Sequence, residues 1–145
     1  MKVIINVILF VLVIVSCDVF EPEEALKQEG TIHLQYDGIV STQSGDKAAF
    51  TLVNDSTAGI QYFAYDATSP HYSTEALADT GWAYLNWNWC GTGAEYFELE
   101  SGTSIQFYTS LPYESCTWRV MLSLAPMDLT SSRILRSDEI TYSAP

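Results

Sequence analysis

Apolar and polar residues alternate with a period of two through most of the chain beyond residue 30, and this restricts the fold more than any other feature. Ile32, Leu34 and Tyr36 share one parity against Thr31, His33 and Gln35. Phe50 and Leu52 flank Thr51; Phe97 and Leu99 oppose Tyr96, Glu98 and Glu100; Ile105 and Phe107 oppose Gln106 and Tyr108. Trp118, Val120, Leu122 and Leu124 oppose Arg119, Met121 and Ser123. Successive side chains of a strand point to opposite faces, so each stretch reads as a half-buried strand. Turn signals separate them: Ser44-Gly45-Asp46, Asn54-Asp55-Ser56, Ser69-Pro70, Gly91-Thr92-Gly93, Ser101-Gly102 and Leu111-Pro112. Strands of this length at this spacing, with no long helical period, predict an all-β antiparallel β-sandwich of about seven or eight strands. Ala67–Thr80 lacks a strand pattern, with one helical turn expected over Thr74–Ala78, and Ile134–Tyr142 supplies the last strand. Residues 30–145 are of ordinary size for one domain with its own core.

The first thirty residues follow other rules. Lys2 precedes an apolar run, Val3–Val15, that ends at the small residue Ser16. A basic start, an apolar stretch and a small residue before a cleavage point describe a secretory signal peptide. The run is too short for a membrane span, which takes roughly 20 apolar residues, and Asn6 interrupts it. Ile14-Val15-Ser16-Cys17 resembles the lipobox of bacterial lipoproteins. That resemblance implies cleavage of residues 1–16, diacylglycerol on the sulfur of Cys17, and a domain tethered by lipid to a membrane of the bacterial cell envelope, facing the periplasm or the exterior. Each buried methylene of such an anchor contributes about 0.8 kcal/mol, and two chains give stable attachment. Residues 17–29 then form an acidic tether, with Asp18, Glu21, Glu23, Glu24 and Glu29 against Lys27 alone.

Three cysteines are an odd number for an exported protein. With Cys17 lipidated, Cys90 and Cys116 remain, and an exported compartment permits them to pair. A bridge closing that loop is worth roughly 3–4 kcal/mol in the chain-entropy model. The alternative is two free buried thiols. Zinc sites take about four ligands, so two cysteines without a nearby histidine make a poor metal site, and no metal or other cofactor is expected.

Most of residues 30–142 resembles a small immunoglobulin-like domain of bacterial exported proteins. The likeness is carried by Phe50-Thr51-Leu52-Val53-Asn54, by Trp89-Cys90-Gly91-Thr92-Gly93, by Leu99–Phe107 with its Ser-Gly turn, and by Trp118-Arg119-Val120. It implies an immunoglobulin-like sandwich. It departs from the antibody pattern, where the two cysteines lie farther apart and pin sheet to sheet around a buried Trp. Fold does not settle function.

Charge narrows the partners. The formal net charge is −12, from 18 acids against six bases. Such a surface repels nucleic acid and anionic lipid headgroups and suits neutral or basic partners. Catalytic patterns are missing: no Gly-x-Ser-x-Gly elbow, no His-Glu-x-x-His frame, no phosphate or calcium loop. His71 with Ser73 and Asp66 or Asp79 is the one conceivable nucleophilic set, and a solvated loop histidine is the plainer reading. Glu95, Glu98 and Glu100 read as the exposed side of a strand rather than as paired carboxylates. The chain is therefore expected not to be an enzyme.

Gly81–Trp89 is where function shows. As one continuous strand it places Ala83, Leu85, Trp87 and Trp89 on the core side and Trp82, Tyr84, Asn86 and Asn88 on the other. Two aromatic plates beside two amides suit a glycan or a protein surface; the bland alternative is a sandwich that buries both sets. Three functions follow: a lipid-anchored binding or structural module, a carbohydrate-binding accessory lipoprotein using the Trp82 face, or a small protease inhibitor presenting Asp66–Thr80 or Thr109–Ser115.

Overall fold

The computed structural model describes residues 32–88 and 92–145. The signal peptide, Cys17, the tether, Trp89 and Cys90 lie outside the described residues. Among the described residues there are ten strands: β1 Ile32–Thr42, β2 Gly45–Asn54, β3 Ile60–Ala64, β4 Tyr72–Ala78, β5 Gly81–Trp87, β6 Glu95–Leu99, β7 Thr103–Ser110, β8 Cys116–Pro126, β9 Arg133–Arg136 and β10 Ile140–Tyr142. Every pairing is antiparallel.

One sheet has the order β1-β2-β7. The other is organised around β8. Leu122 pairs with Tyr72 of β4 and with Leu135 of β9, while Leu124 pairs with Tyr62 of β3 and with Arg133 of β9. A strand has two edges, so β3 and β4 lie end to end along the edge of β8 that β9 does not occupy. A hairpin-like excursion, Tyr65–Ser69, interrupts them and is closed by the Ala64–Pro70 bridge. In the same way β6 follows β3 and β5 follows β4, and β9 and β10 divide the far edge. Ten short strands thus make seven lines, three facing four, in an antiparallel β-sandwich. The strands outnumber the seven or eight expected, in part because the stretch read as one last strand, Ile134–Tyr142, falls into β9 and β10.

The alternating residues fill the space between the sheets. Leu34, Phe50, Leu52 and Phe107 of the first sheet meet Tyr62, Trp118, Val120, Leu122 and Leu124 of the second, all buried. Phe50 stacks on Phe107 at 5.8 Å and meets Trp118 edge-on at 6.0 Å across the layers. The Tyr72 hydroxyl accepts a hydrogen bond from the Ser110 N–H at 3.0 Å, joining the sheets through polar atoms as well.

Two expectations are corrected here. Thr74–Ala78 is not a helical turn; it is the body of β4, held between β8 and β5. Glu-Ala-Leu-Ala favours a helix locally, but ladder partners on both sides outweigh that preference. The expected Cys90–Cys116 bridge is not supported: among the described residues Cys116 is a free, half-buried thiol. Cys90 is itself outside the described residues, yet the register explains the result. The Asn88 N–H bonds the Tyr72 carbonyl at 3.1 Å, and Tyr72 lies opposite Leu122. From Leu122 back to Cys116 is roughly 20 Å of strand. Two residues beyond Asn88 reach about 7 Å, whereas a disulfide needs Cα atoms within about 7 Å of each other.

Candidate functional site

The outer face of the second sheet collects the exposed aromatic residues, and its layout depends on one extra residue. β5 pairs with β4 as Ala78↔Gly81, Leu77↔Trp82, Ala76↔Ala83 and Glu75↔Tyr84, then resumes as Thr74↔Asn86 and Ser73↔Trp87. Leu85 is the unmatched residue of a β-bulge. Directly opposed residues share a face, and a one-residue slip moves everything beyond it to the other face. On β4, Tyr72 and Thr74 are buried and Ala76 packs on the core, so their neighbours Ala83 and Asn86 turn inward. Trp82, Tyr84 and Trp87 turn outward with Leu77, Glu75 and Ser73.

The predicted set is therefore corrected. Trp82 and Tyr84 share the outer face, as the parity of β5 requires, and Tyr84 is 62 % exposed. Asn86 and Asn88 do not join them. Asn86 turns inward, and its Oδ1 accepts from the Trp87 N–H at 2.7 Å. Asn88 clamps the corner beneath: its Oδ1 accepts from the Tyr72 N–H at 2.7 Å, its Nδ2 donates to the Pro70 carbonyl at 3.1 Å, and its carbonyl accepts from the Tyr65 hydroxyl at 2.7 Å. Trp87, expected in the core, is 58 % exposed. It meets Tyr84 at right angles with ring centroids 6.3 Å apart.

Trp82 is half-buried for a stated reason. The Arg119 guanidinium carbon lies 3.8 Å from the centre of its ring, a cation–π contact that reaches from β8 across β4 to β5. Glu75 holds the same guanidinium through Arg119 Nε and also receives Arg136 Nε at 3.5 Å. Across the sheet, from β9 through β8 and β4 to β5, the face reads Arg136, Arg119, Glu75, Trp82, then Tyr84 and Trp87. Trp87, Arg119, Glu75 and Arg136 escaped the sequence reading. Arg119 was visible as the outward neighbour of Trp118; Trp87 was hidden by the bulge. This is not a flat pair of plates flanked by amides, since one ring carries an arginine and the other two are perpendicular.

Further along the same sheet, Phe63 packs on Tyr96 at 5.2 Å and on His71 at 5.7 Å, and Tyr65 meets His71 at 6.2 Å. Burial holds the His71 imidazole below its usual pKa. Asp66 is occupied locally: its carboxylate accepts from Thr68 N–H and hydroxyl and from the Ser69 hydroxyl, which lower its pKa. Asp79, in the β4–β5 turn, sits about eight residues from His71 along β4, or roughly 25 Å. His33 lines an open groove of about 510 Å³ with Tyr36, Asp138 and Glu139, between β1 and the β9–β10 link. Glu98 and Glu100 are exposed. Among the described residues no group of three or more His, Cys, Asp or Glu side chains converges to hold a metal ion, and no helix is long and apolar enough to cross a membrane. Of the two candidate inhibitory loops, Asp66–Thr80 contains all of β4, while residues 111–115 form a short connection that includes Tyr113, 90 % exposed.

Comparison with known proteins adds the following. No family model and no curated protein matches this chain. Among solved structures, a Bordetella pertussis protein assigned as ApaA matches with a TM-score of 0.50 at 11 % identity, over 79 % of this chain and 96 % of that one. The likeness is one of fold. A second structural-genomics protein matches with a TM-score of 0.44 at 12 % identity, over 81 % of this chain and 90 % of that one.

Proposed function

We propose that this chain is a non-catalytic, lipid-anchored module of the bacterial cell envelope that binds a protein partner through the outer face of its second sheet. The observation that carries the reading is the exposed, perpendicular Tyr84–Trp87 pair beside the Arg119–Trp82 stack. Tyr, Trp and Arg are the residues that most often dominate binding energy at protein interfaces, where a few large side chains carry most of it. The contrast with the rest of the molecule supports it: a chain of net charge −12 gathers Arg119 and Arg136 on this one face. The Ile14-Val15-Ser16-Cys17 motif supports anchoring through Cys17.

The reading has two tests. Cys17→Ser is expected to move the protein from the membrane to the soluble fraction or to block its maturation; fractionation like the wild type ends the lipoprotein half. Tyr84→Ala with Trp87→Ala is expected to abolish chemical cross-linking of the full-length protein to envelope partners while leaving thermal unfolding nearly unchanged. Cross-linking that persists in the folded double variant ends the binding-face half.

A further inference from the structure

β5 is bonded on one side only. It pairs with β4, and among the described residues its other edge is open. The direction of its backbone groups follows from one bond. The Tyr72 carbonyl accepts from the Asn88 N–H, so the even-numbered residues of β4 turn their N–H and C=O groups toward β5. By antiparallel alternation Gly81 and Ala83 answer them, and Trp82 and Tyr84 turn their N–H and C=O groups outward. The Trp87 N–H fits this pattern, since it bonds the Asn86 side chain rather than β4.

Natural proteins blunt open edges with charged residues, proline, bulges or a covering segment. Gly81–Trp87 contains no charge and no proline. Ala83, Tyr84, Leu85 and Trp87 are all exposed, so the strand is apolar on both faces as well as open along its edge. Among the described residues, the Leu85 bulge and the Asn86 amide over the Trp87 N–H protect it. Beside the strand, Arg119 and Glu75 neutralise each other as an ion pair, and the charge at the ends is acidic. Exposed Asp79 lies before β5, and exposed Glu95 and Glu98 stand in β6 beyond it.

We propose that β5 takes an extended segment of a partner protein as an added strand, apolar in the middle and basic at both ends. This rests on the outer face being the binding surface, and it adds the form and charge of what binds there. Main-chain bonds to Trp82 and Tyr84 supply affinity, and the Tyr84 and Trp87 rings grip alternate side chains of the incoming strand. The acids at either end select for lysine or arginine. A second copy of this chain fits worse, because each copy carries net charge −12 and brings the same acids to the junction.

The test uses random peptides as long as β5 (7 residues), displayed with lysine fixed at both ends or with glutamate fixed at both ends, panned against the full-length protein. The lysine library is expected to enrich at least about tenfold over the glutamate library. Binding of the enriched peptide is expected to fall about tenfold in Tyr84→Ala and to vanish in Tyr84→Pro. Both variants lose the ring, but only proline removes the outward N–H, which β4 does not use, so folding survives. N-methylation of alternate peptide bonds in the ligand is expected to abolish binding with a period of two. Failure of the lysine library to enrich over the glutamate library overturns the proposal. Equal loss in Tyr84→Ala and Tyr84→Pro overturns strand addition while leaving the aromatic face as the binding surface. A dimer seen by sedimentation and lost in Tyr84→Pro gives the edge to a second copy and overturns the basic partner.

Discussion

Asn54 ties together three connections at one end of the sandwich. The residue is fully buried; its Nδ2 donates to the carbonyls of Ala58 and Leu99, both at 2.9 Å, and of Glu100 at 3.2 Å, and its Oδ1 accepts from the Ser56 N–H and hydroxyl. Asn54→Ala leaves several of these groups buried without partners. The expected loss is about 2–3 kcal/mol, a fall in Tm on the order of 10 °C; a change under 2 °C by calorimetry contradicts the assignment. Cys116 makes a second residue-scale prediction. Burial first, and the nearby Glu114 second, push its thiol pKa up, so it stays protonated near neutral pH and attacks disulfide reagents slowly. Mass mapping without reductant should find Cys116 alkylated, with unfolding greatly speeding its labelling. His71 sets a pH dependence. Its folded pKa lies below the 6.5 of the unfolded chain, so the neutral imidazole's contribution is complete above about pH 6.5. It is lost as pH falls toward the folded pKa, because the unfolded chain accepts the proton more readily. The urea midpoint should drop between pH 7 and pH 5 in the wild type and less in His71→Phe. Asp66 and Asp128, whose pKa values hydrogen bonds lower, act below that window.

At the scale of elements, the period-two stretches were legible because one side of each strand faces the core. Ile32, Leu34, Phe50, Leu52, Phe107, Trp118, Val120, Leu122 and Leu124 are buried, as their parity required. β4 was not legible, since its strand state is imposed by β8 and β5 rather than by its own composition. Nor was the face of β5. Parity arguments carry only as far as the next bulge, and nothing in Tyr84-Leu85-Asn86 marks Leu85 as the extra residue; Trp82 and Tyr84 lie before it and were placed correctly, Asn86 and Trp87 lie after it and were exchanged. The same rule makes a prediction. Deleting Leu85 removes the extra residue and restores simple alternation with Asn86 still inward and Trp87 still outward. Acrylamide quenching of tryptophan fluorescence should therefore stay close to wild type in the deletion variant, and a marked fall would falsify the bulge as the cause. Trp82→Ala separates packing from binding: it removes the Arg119 stack and is expected to cost about 1 kcal/mol of stability.

For the whole molecule, a sandwich with an interdigitated aromatic core presents one face unlike the rest of its surface. The chain is acidic, yet Arg119 and Arg136 share a face with Trp82, Tyr84 and Trp87. On the lipid anchor proposed at Cys17, that face would meet envelope neighbours at high local concentration, so that a modest intrinsic affinity would suffice. Hydroxyl-radical footprinting tests this most directly, comparing the purified domain with the full-length protein in intact envelopes. Tyr113, 90 % exposed on the β7–β8 connection, serves as the internal reference. The account predicts that Tyr84 and Trp87 are oxidised readily in the purified domain and protected severalfold in the envelope, with Tyr113 labelled alike in both. Equal oxidation of Tyr84 and Trp87 in the two samples would contradict it.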